Sequence, residues 1–242
     1  MQKCRTVEDG VAAVLKVYEQ TPGCTWAYRR AGEGDLTDVL TLDGKDYPLF
    51  WWRFDTQTSM LHEMAPSREP CSMKLNRSCG KGEGLARLTY REFDIAQWVL
   101  RSALQSVMCF ENGEARNILG TMENGCVAVF ELAAALCDGT EEQGRHTFWG
   151  KNGMGSDRVV SQKVPSQATY LFTDDKTQAE TYNDVFRCMY GLEKPDVVRA
   201  CAIAEALMGR VDPAEWLRAD AQLRRCLAAV ERSAQSGEKE AV

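Results

Sequence analysis

Histidine is scarce in this chain: only His62 and His146 occur in 242 residues, and neither lies beside a cysteine pair. The ten cysteines are scattered, without a Cys-x-x-Cys pair. A zinc site needs clustered nitrogen and sulfur ligands, so no metal is expected. Long apolar runs are also missing, which excludes a helical membrane span, and no membrane partner is expected. Excess positive charge is absent. The formal net charge is -6, which offers no general attraction to nucleic acid or anionic lipid. Met1 to Arg5 leads into an acidic amphipathic segment with no apolar signal core, so a cytoplasmic protein is expected. In that setting the thiols read as reduced, with Cys109, Cys126 and Cys201 as small core hydrophobes. Finally, no apolar strand runs into a Gly-x-Gly-x-x-Gly turn, so no dinucleotide cofactor is expected. Gly80-x-Gly82-x-Gly84 has the wrong spacing for that turn and reads as a surface loop.

What is present is ordinary globular material, with 44% hydrophobic and 26% charged residues arguing against disorder. Val7, Val11, Val14, Leu15 and Tyr18 share a helical face that ends before Pro22-Gly23. Thr25 to Arg30 reads as a strand. Asp43-Gly44 lies between two strand-like runs and predicts a hairpin. Thr56 to Met64 reads as a short helix and Ser72 to Leu75 as a strand. Tyr90 to Leu104 carries a helical stripe of Phe93, Ala96, Leu100, Ala103 and Leu104. A meander follows, with strands over Val107 to Phe110, Arg116 to Met122 and Cys126 to Leu136. Asn112-Gly113 and Asn124-Gly125 mark its turns. Thr147 to Trp149, Arg158 to Val160 and Ala168 to Phe172 add strands. Helices are expected over Tyr182 to Tyr190, Asp196 to Met208, and from Pro213 to about Ser233, with Ser236 to Val242 as a polar tail. The pattern predicts one α+β domain over 1–242, its parts being 1–84, 85–210 and 211–242. Its sheet is large, open and mainly antiparallel, with helices on one face.

Several side chains are candidates for chemistry. Trp52, Arg53 and Asp55 lie in an aromatic cluster with Trp51 and Phe54 that could stack on a sugar. The plainer reading is a strand turning alternate residues inward. His62 has no visible partner and reads as a surface residue. His146 would need an acid that the sequence does not identify. Asp174-Asp175 reads as a turn, and Glu141 and Glu142 as solvated loop residues.

The run Asp94-Ile95-Ala96-Gln97-Trp98-Val99-Leu100, the Met122-to-Ala128 hairpin and Phe148-Trp149-Gly150-Lys151-Asn152-Gly153 occur in a telling order. Over roughly Leu85 to Arg210 the chain resembles the C-terminal domain of the Gfo/Idh/MocA oxidoreductases. The resemblance implies a sheet whose open face packs on another subunit, hence a sheet-to-sheet homodimer. The strand after Asn124-Gly125, apolar on both sides, points the same way. In that family an Asp, a Gly and a catalytic His precede the Trp. Aligned on Trp98, these positions hold Arg87, Thr89 and Arg91. Arginine is a poor general acid or base. Glu193-Lys194-Pro195 echoes a family motif but is displaced, and reads as a helix start. The resemblance therefore implies a family member without its cofactor domain or catalytic pair. Its expected role is oligomerisation, or that of an accessory or sugar-binding subunit. Candidate ligand-binding residues are Trp52, Arg53, Asp55, Arg87, Arg91, Asp94 and His146. The competing reading is an enzyme of altered chemistry on the same scaffold, such as a carbohydrate-related oxidoreductase component or isomerase. Its pocket would be rebuilt from Asp55, Arg91, Glu92 and His146.

Overall fold

The computed structural model describes residues 4–80, 84–137, 142–157, 168–172, 177–181 and 191–242. By internal packing the chain divides into two compact units, 1–56 with 183–221 and 57–182 with 222–242.

In the first unit, α1 (Val7–Val17) starts at a capping box. Thr6 Oγ1 accepts from the Asp9 amide, and the Asp9 carboxylate returns the bond to the Thr6 amide. The helix packs closely on α4 (Lys194–Leu207): a Cβ on Gly10 would lie 2.9 Å from the Ala200 Cβ. The strands β1 (Trp26–Arg29), β2 (Asp38–Leu42) and β3 (Lys45–Leu49) form an antiparallel sheet. Its expected hairpin turn has φ of 48° at Asp43 and 79° at Gly44. Trp51–Phe54 is a 3-10 helix and not the expected strand. Arg199 of α4 explains the difference. Its guanidinium lies 4.2 Å from the Trp51 ring centroid and bonds the buried Asp38 at 2.6 Å, holding the aromatic turn against α4. Burial, with the Asp38 carboxylate second, pushes the Tyr28 phenol up to about 12. Lys194 opens α4, as Glu193-Lys194-Pro195 suggested, and pairs with Asp55 at 2.7 Å.

The second unit contains α2 (Thr56–Met64), which begins at the border, and a nine-stranded sheet. Chain order gives β4 (Pro70–Gly80), α3 (Leu85–Leu100), β5 (Leu104–Glu111), β6 (Ala115–Met122) and β7 (Val127–Leu136). Next come β8 (Gln143–Gly150), β9 (Gly153–Ser156), β10 (Ala168–Phe172) and β11 (Thr177–Thr181). Helix α5 (Pro213–Ser236) and β12 (Glu240–Ala241) close the sequence. The spatial order is β11-β10-β9-β8-β4-β7-β6-β5-β12. Both Asn-Gly pairs are hairpin turns, with φ of 90° at Gly113 and 85° at Gly125. Asn112 Oδ1 accepts from the amides of Glu114 and Ala115, and Asn124 Oδ1 from that of Cys126. Strand β4 joins two meanders, parallel to β7 and antiparallel to β8.

Helix α3 covers one face of this sheet. Phe93 meets Phe130 of β7 edge-on, with ring centroids 4.7 Å apart. The helix begins and ends earlier than the expected Tyr90 to Leu104, because Arg101 adopts a left-handed conformation (φ 49°). Leu104 belongs to β5, its amide donating to Gln97 Oε1 at 3.1 Å. Cys109 and Cys126 are buried as expected, whereas Cys201 is only half-buried. The expected segments Arg158 to Val160 and Tyr182 to Tyr190, the Asp174-Asp175 turn, and Lys81 to Glu83 of the glycine-rich loop lie outside the described residues.

The polar tail expected over Ser236 to Val242 is an edge strand instead. Glu240 and Ala241 pair with Val107 and Ser106, and the Val242 amide donates to the Gln105 carbonyl at 3.1 Å. Arg232 anchors the turn on Glu240 at 3.1 Å. The backbone ladder outweighs local polarity because it pairs an otherwise open edge. Deleting residues 239–242 should cost about 2 kcal/mol, hence about 4–8 °C in Tm, at roughly 1 kcal/mol per lost hydrogen bond. An unchanged melting temperature would show that β12 does not secure the edge.

Candidate functional site

The helix-facing side of the sheet turns from apolar to ionic toward one end. Met73 and Leu75 on β4 precede Arg77, and Phe148 on β8 lies two residues from His146. In register, Arg116 of β6, Leu132 of β7, Arg77 of β4 and Gly144 of β8 form one row. Above it, α3 presents Thr89, Arg91 and Glu92. Gly144 is required by this row: a Cβ there would lie 2.5 Å from Arg77 Nη1.

Glu92 is fully buried. Its Oε1 accepts from Arg77 Nε, and its Oε2 accepts a hydrogen bond from His146 Nε2 at 2.8 Å. On the other side of the ring, His146 Nδ1 donates to Asp157 Oδ2 at 2.6 Å. Asp157 also accepts from the His146 amide at 2.5 Å, so imidazole and carboxylate are fixed together. Both ring nitrogens face carboxylates, and the ring must carry both protons to satisfy them. Arg77 Nη2 lies 3.2 Å from His146 Nε2. An imidazolium has no acceptor, so this is a like-charge contact held by the carboxylate between them.

Burial favours a neutral His146 ring, but Asp157 and Glu92 outweigh it and hold the pKa up at about 9. Burial likewise works against the Glu92 carboxylate, yet Arg77 and His146 bring it down to about 2. Arg77 is raised against its own burial by Glu92 and Glu142. Arg91 is lowered by burial and by neighbouring Arg77. Glu142 completes the cluster, its Oε1 accepting from Arg77 Nη1 at 2.5 Å and from Arg91 Nη2. Among the described residues the cluster thus brings Arg77, Arg91 and His146 together with Glu92, Asp157 and Glu142. Beside them, Arg116 Nη1 donates to the buried Thr89 Oγ1 at 3.0 Å, and Thr89 donates to the Leu85 carbonyl at 2.7 Å.

The structure places the expected ligand-binding residues unequally. Arg91 and His146 meet at Glu92, with Arg91 Nε 3.6 Å from its Oε1. Asp94 is buried on the same helix, and Arg87 is half-buried near its start. Trp52, Arg53 and Asp55 belong to the first unit: Trp52 is buried in its core, and Arg53 lies over the Phe50 ring at 4.7 Å. Glu142 is the exposed loop residue expected, but it is also ion-paired with Arg77 and Arg91. His62 is also half-buried; it stacks on Trp98 at 4.0 Å and its Nδ1 donates to the Trp98 carbonyl at 2.8 Å. Sequence reasoning missed Arg77 and Asp157. Arg77 carried one usable signal, a charge among the alternate inward residues of β4. Among the described residues, no group of three or more His, Cys, Asp or Glu side chains could hold a metal ion. Among the described residues, no helix is long and apolar enough to cross a membrane.

No family model matches the sequence, and neither does any curated protein. Solved structures do. The aldose-aldose oxidoreductase from Caulobacter crescentus, complexed with glycerol, superposes with TM-score 0.60 at 12% identity, over 98% of this chain and 69% of that one. The scyllo-inositol dehydrogenase from Lactobacillus casei, with bound NAD(H) and scyllo-inositol, gives 0.57 at 12% identity, over 79% and 63%. An oxidoreductase from Sinorhizobium meliloti gives 0.57 at 10%, over 78% and 62%. The chain has the fold of the Gfo/Idh/MocA oxidoreductase C-terminal domain. It spans about 63% of the length of several of the oxidoreductases it matches.

Replacing Glu92 by Gln leaves Arg77 and His146 short of a buried counter-charge and should cost about 3–5 kcal/mol in denaturant unfolding. The pH dependence has a defined sign. The His146 contribution is complete below its ordinary 6.5 and is lost as pH rises through about 9. That of Glu92 is complete above 4.5 and is lost as pH falls towards about 2. Stability should be greatest between 4.5 and 6.5 and decline above it. A melting temperature that holds level from pH 6.5 to above 9 contradicts the assignment of His146 as an imidazolium.

Proposed function

We propose that this chain is a non-catalytic protein built on an oxidoreductase C-terminal-domain fold, serving as an oligomerising or accessory subunit that retains a site for a small, sugar-like molecule. The observation that carries this reading is the state of the ionisable groups on α3. The positions where the resemblance implies a catalytic Asp and His hold Arg87 and Arg91, and Arg91 is committed to Glu142. The nearby imidazole, His146, has both nitrogens engaged by carboxylates and is buried. With a pKa of about 9 it has no lone pair to offer near neutrality. Neighbours of the same fold are described with NAD and with polyols, which supports a sugar-like ligand class.

The partner proposed for the open sheet face is a second copy of the chain. That face carries Phe110, Leu119, Val127 and Trp149, exposed by 59, 50, 37 and 41%. Between these lies the Lys74–Glu131 pair at 2.7 Å, giving the mixture of apolar contact and fixed charge that sets register in a two-fold interface. A monomer would leave this apolar surface in water.

Two measurements test the reading. Light scattering at micromolar concentration should give a dimer, and Leu119→Asp should return it to a monomer; a monomeric mass for the unmodified chain removes the sheet-to-sheet contact. Titration with NAD(H) and NADP(H), followed by nicotinamide fluorescence, should show no saturable micromolar binding. Saturable binding of either would favour the altered-chemistry enzyme instead.

A further inference from the structure

Four members of the ionic cluster lie within elements, whereas Asp157 and Glu142 lie just outside them. Arg77 is on β4, Arg91 and Glu92 on α3, His146 on β8 and Asp157 directly follows β9. Glu142 precedes β8 without belonging to it. Its side chain is 36% exposed, against 12% for Arg77 and 10% for Arg91. Two largely buried guanidinium groups thus converge on one oxygen of a carboxylate that reaches water. Without that carboxylate Arg77 Nη1 and Arg91 Nη2 lose the acceptor they share. Loss of an anionic acceptor by largely buried guanidinium groups is costly, so another anion is favoured there. Guanidinium pairs bind carboxylates in directed, charge-assisted bonds.

We propose that Arg77 and Arg91 form a binding site for a small-molecule carboxylate, and that Glu142 occupies this site as an internal stand-in when no ligand is bound. The proposal rests on the small-molecule reading above and specifies its chemistry: the ligand is an acid, and a sugar acid fits both. Binding is then an exchange in which an external carboxylate takes over the bonds from Arg77 Nη1 and Arg91 Nη2, and Glu142 moves into water. No net charge changes in the buried layer, which keeps the exchange inexpensive. A tethered carboxylate competes at an effective concentration of the order of mM, so the unmodified chain binds external acids weakly and selectively.

The test uses the full chain with acetate, D-gluconate and inorganic phosphate as probes, followed by thermal shift and calorimetric titration. Glu142→Ala should lower Tm in buffer without carboxylate, and acetate should restore it in a dose-dependent way. Its acetate affinity should exceed that of the unmodified chain by at least about tenfold, the tethered competitor being gone. The double variant Arg91→Met with Glu142→Ala removes one of the two guanidinium groups together with the carboxylate they share. It should fold without acetate and show no acetate response. If Glu142→Ala alone fails to fold, its recovery on refolding with acetate, beside a double variant that folds without it, supports the proposal equally. An acetate response that survives in the double variant overturns the proposal, as does Glu142→Ala that acetate neither binds nor restores. Phosphate that outcompetes acetate would reassign the site to phosphoryl groups and overturn the carboxylate assignment. Acetate binding with no further gain from D-gluconate would uphold this site and count against a sugar-like ligand. A neutral polyol such as myo-inositol that binds where no acid does would retain the sugar-like ligand and reject the acid site.

Discussion

Glu92 is a carboxylate with no exposure to water. Its position on α3 over β4 and β8 sets much of the surrounding geometry. Once it is there, the Arg77 guanidinium lies over Gly144 of β8, where a Cβ would come within 2.5 Å of Nη1 and force the side chain to shift. His146 must be doubly protonated, and Asp157 must close the far side of its ring. Hydrophobic contact, such as that of Phe93 with Phe130, supplies the non-directional attraction between helix and sheet. The ionic contacts add direction: a helix slipped by one residue would leave several charges unpaired in a dry layer. Such clusters contribute less to net stability than their number suggests, because desolvation cancels much of the attraction.

The same cluster gives Arg91 a structural role at the position where the resemblance implies a catalytic His. At Arg91 the side chain reaches outward to Glu142, and at Thr89 a hydroxyl links Arg116 to the helix backbone. Proton transfer needs a group able to change charge near neutrality. Arg91 stays protonated and His146 is held charged, so this end of α3 is suited to static electrostatic binding.

Sequence pattern was a good guide where the determinants are local. The Asn-Gly and Asp-Gly turns placed three hairpins because positive φ is demanded at fixed positions. Helix α3 was visible in its periodicity, but its end was not, since Leu104 has the right spacing for a stripe it does not join. The aromatic run at Trp51 looked like a strand because its fold depends on Arg199, far away in sequence. His146 was grouped with Arg91 and Glu92 as a candidate pocket, but its other acid, Asp157, carries no signal in the sequence. Arg77 was missed for the same reason, since nothing in the sequence alone places it beneath α3.

Strand β4 carries a consequence for how the second unit assembles. Both of its neighbours, β7 and β8, come later in the chain, and the first runs parallel to it. The strand therefore cannot pair when it is first available. Met73 and Leu75, fully buried in the finished sheet, remain uncovered until α3 and a complete three-stranded meander have formed. Two preformed halves then close on a waiting strand between them. A contact of such high sequence separation carries a large loop-closure cost before any reward, and places docking of β4 among the latest and slowest events of folding.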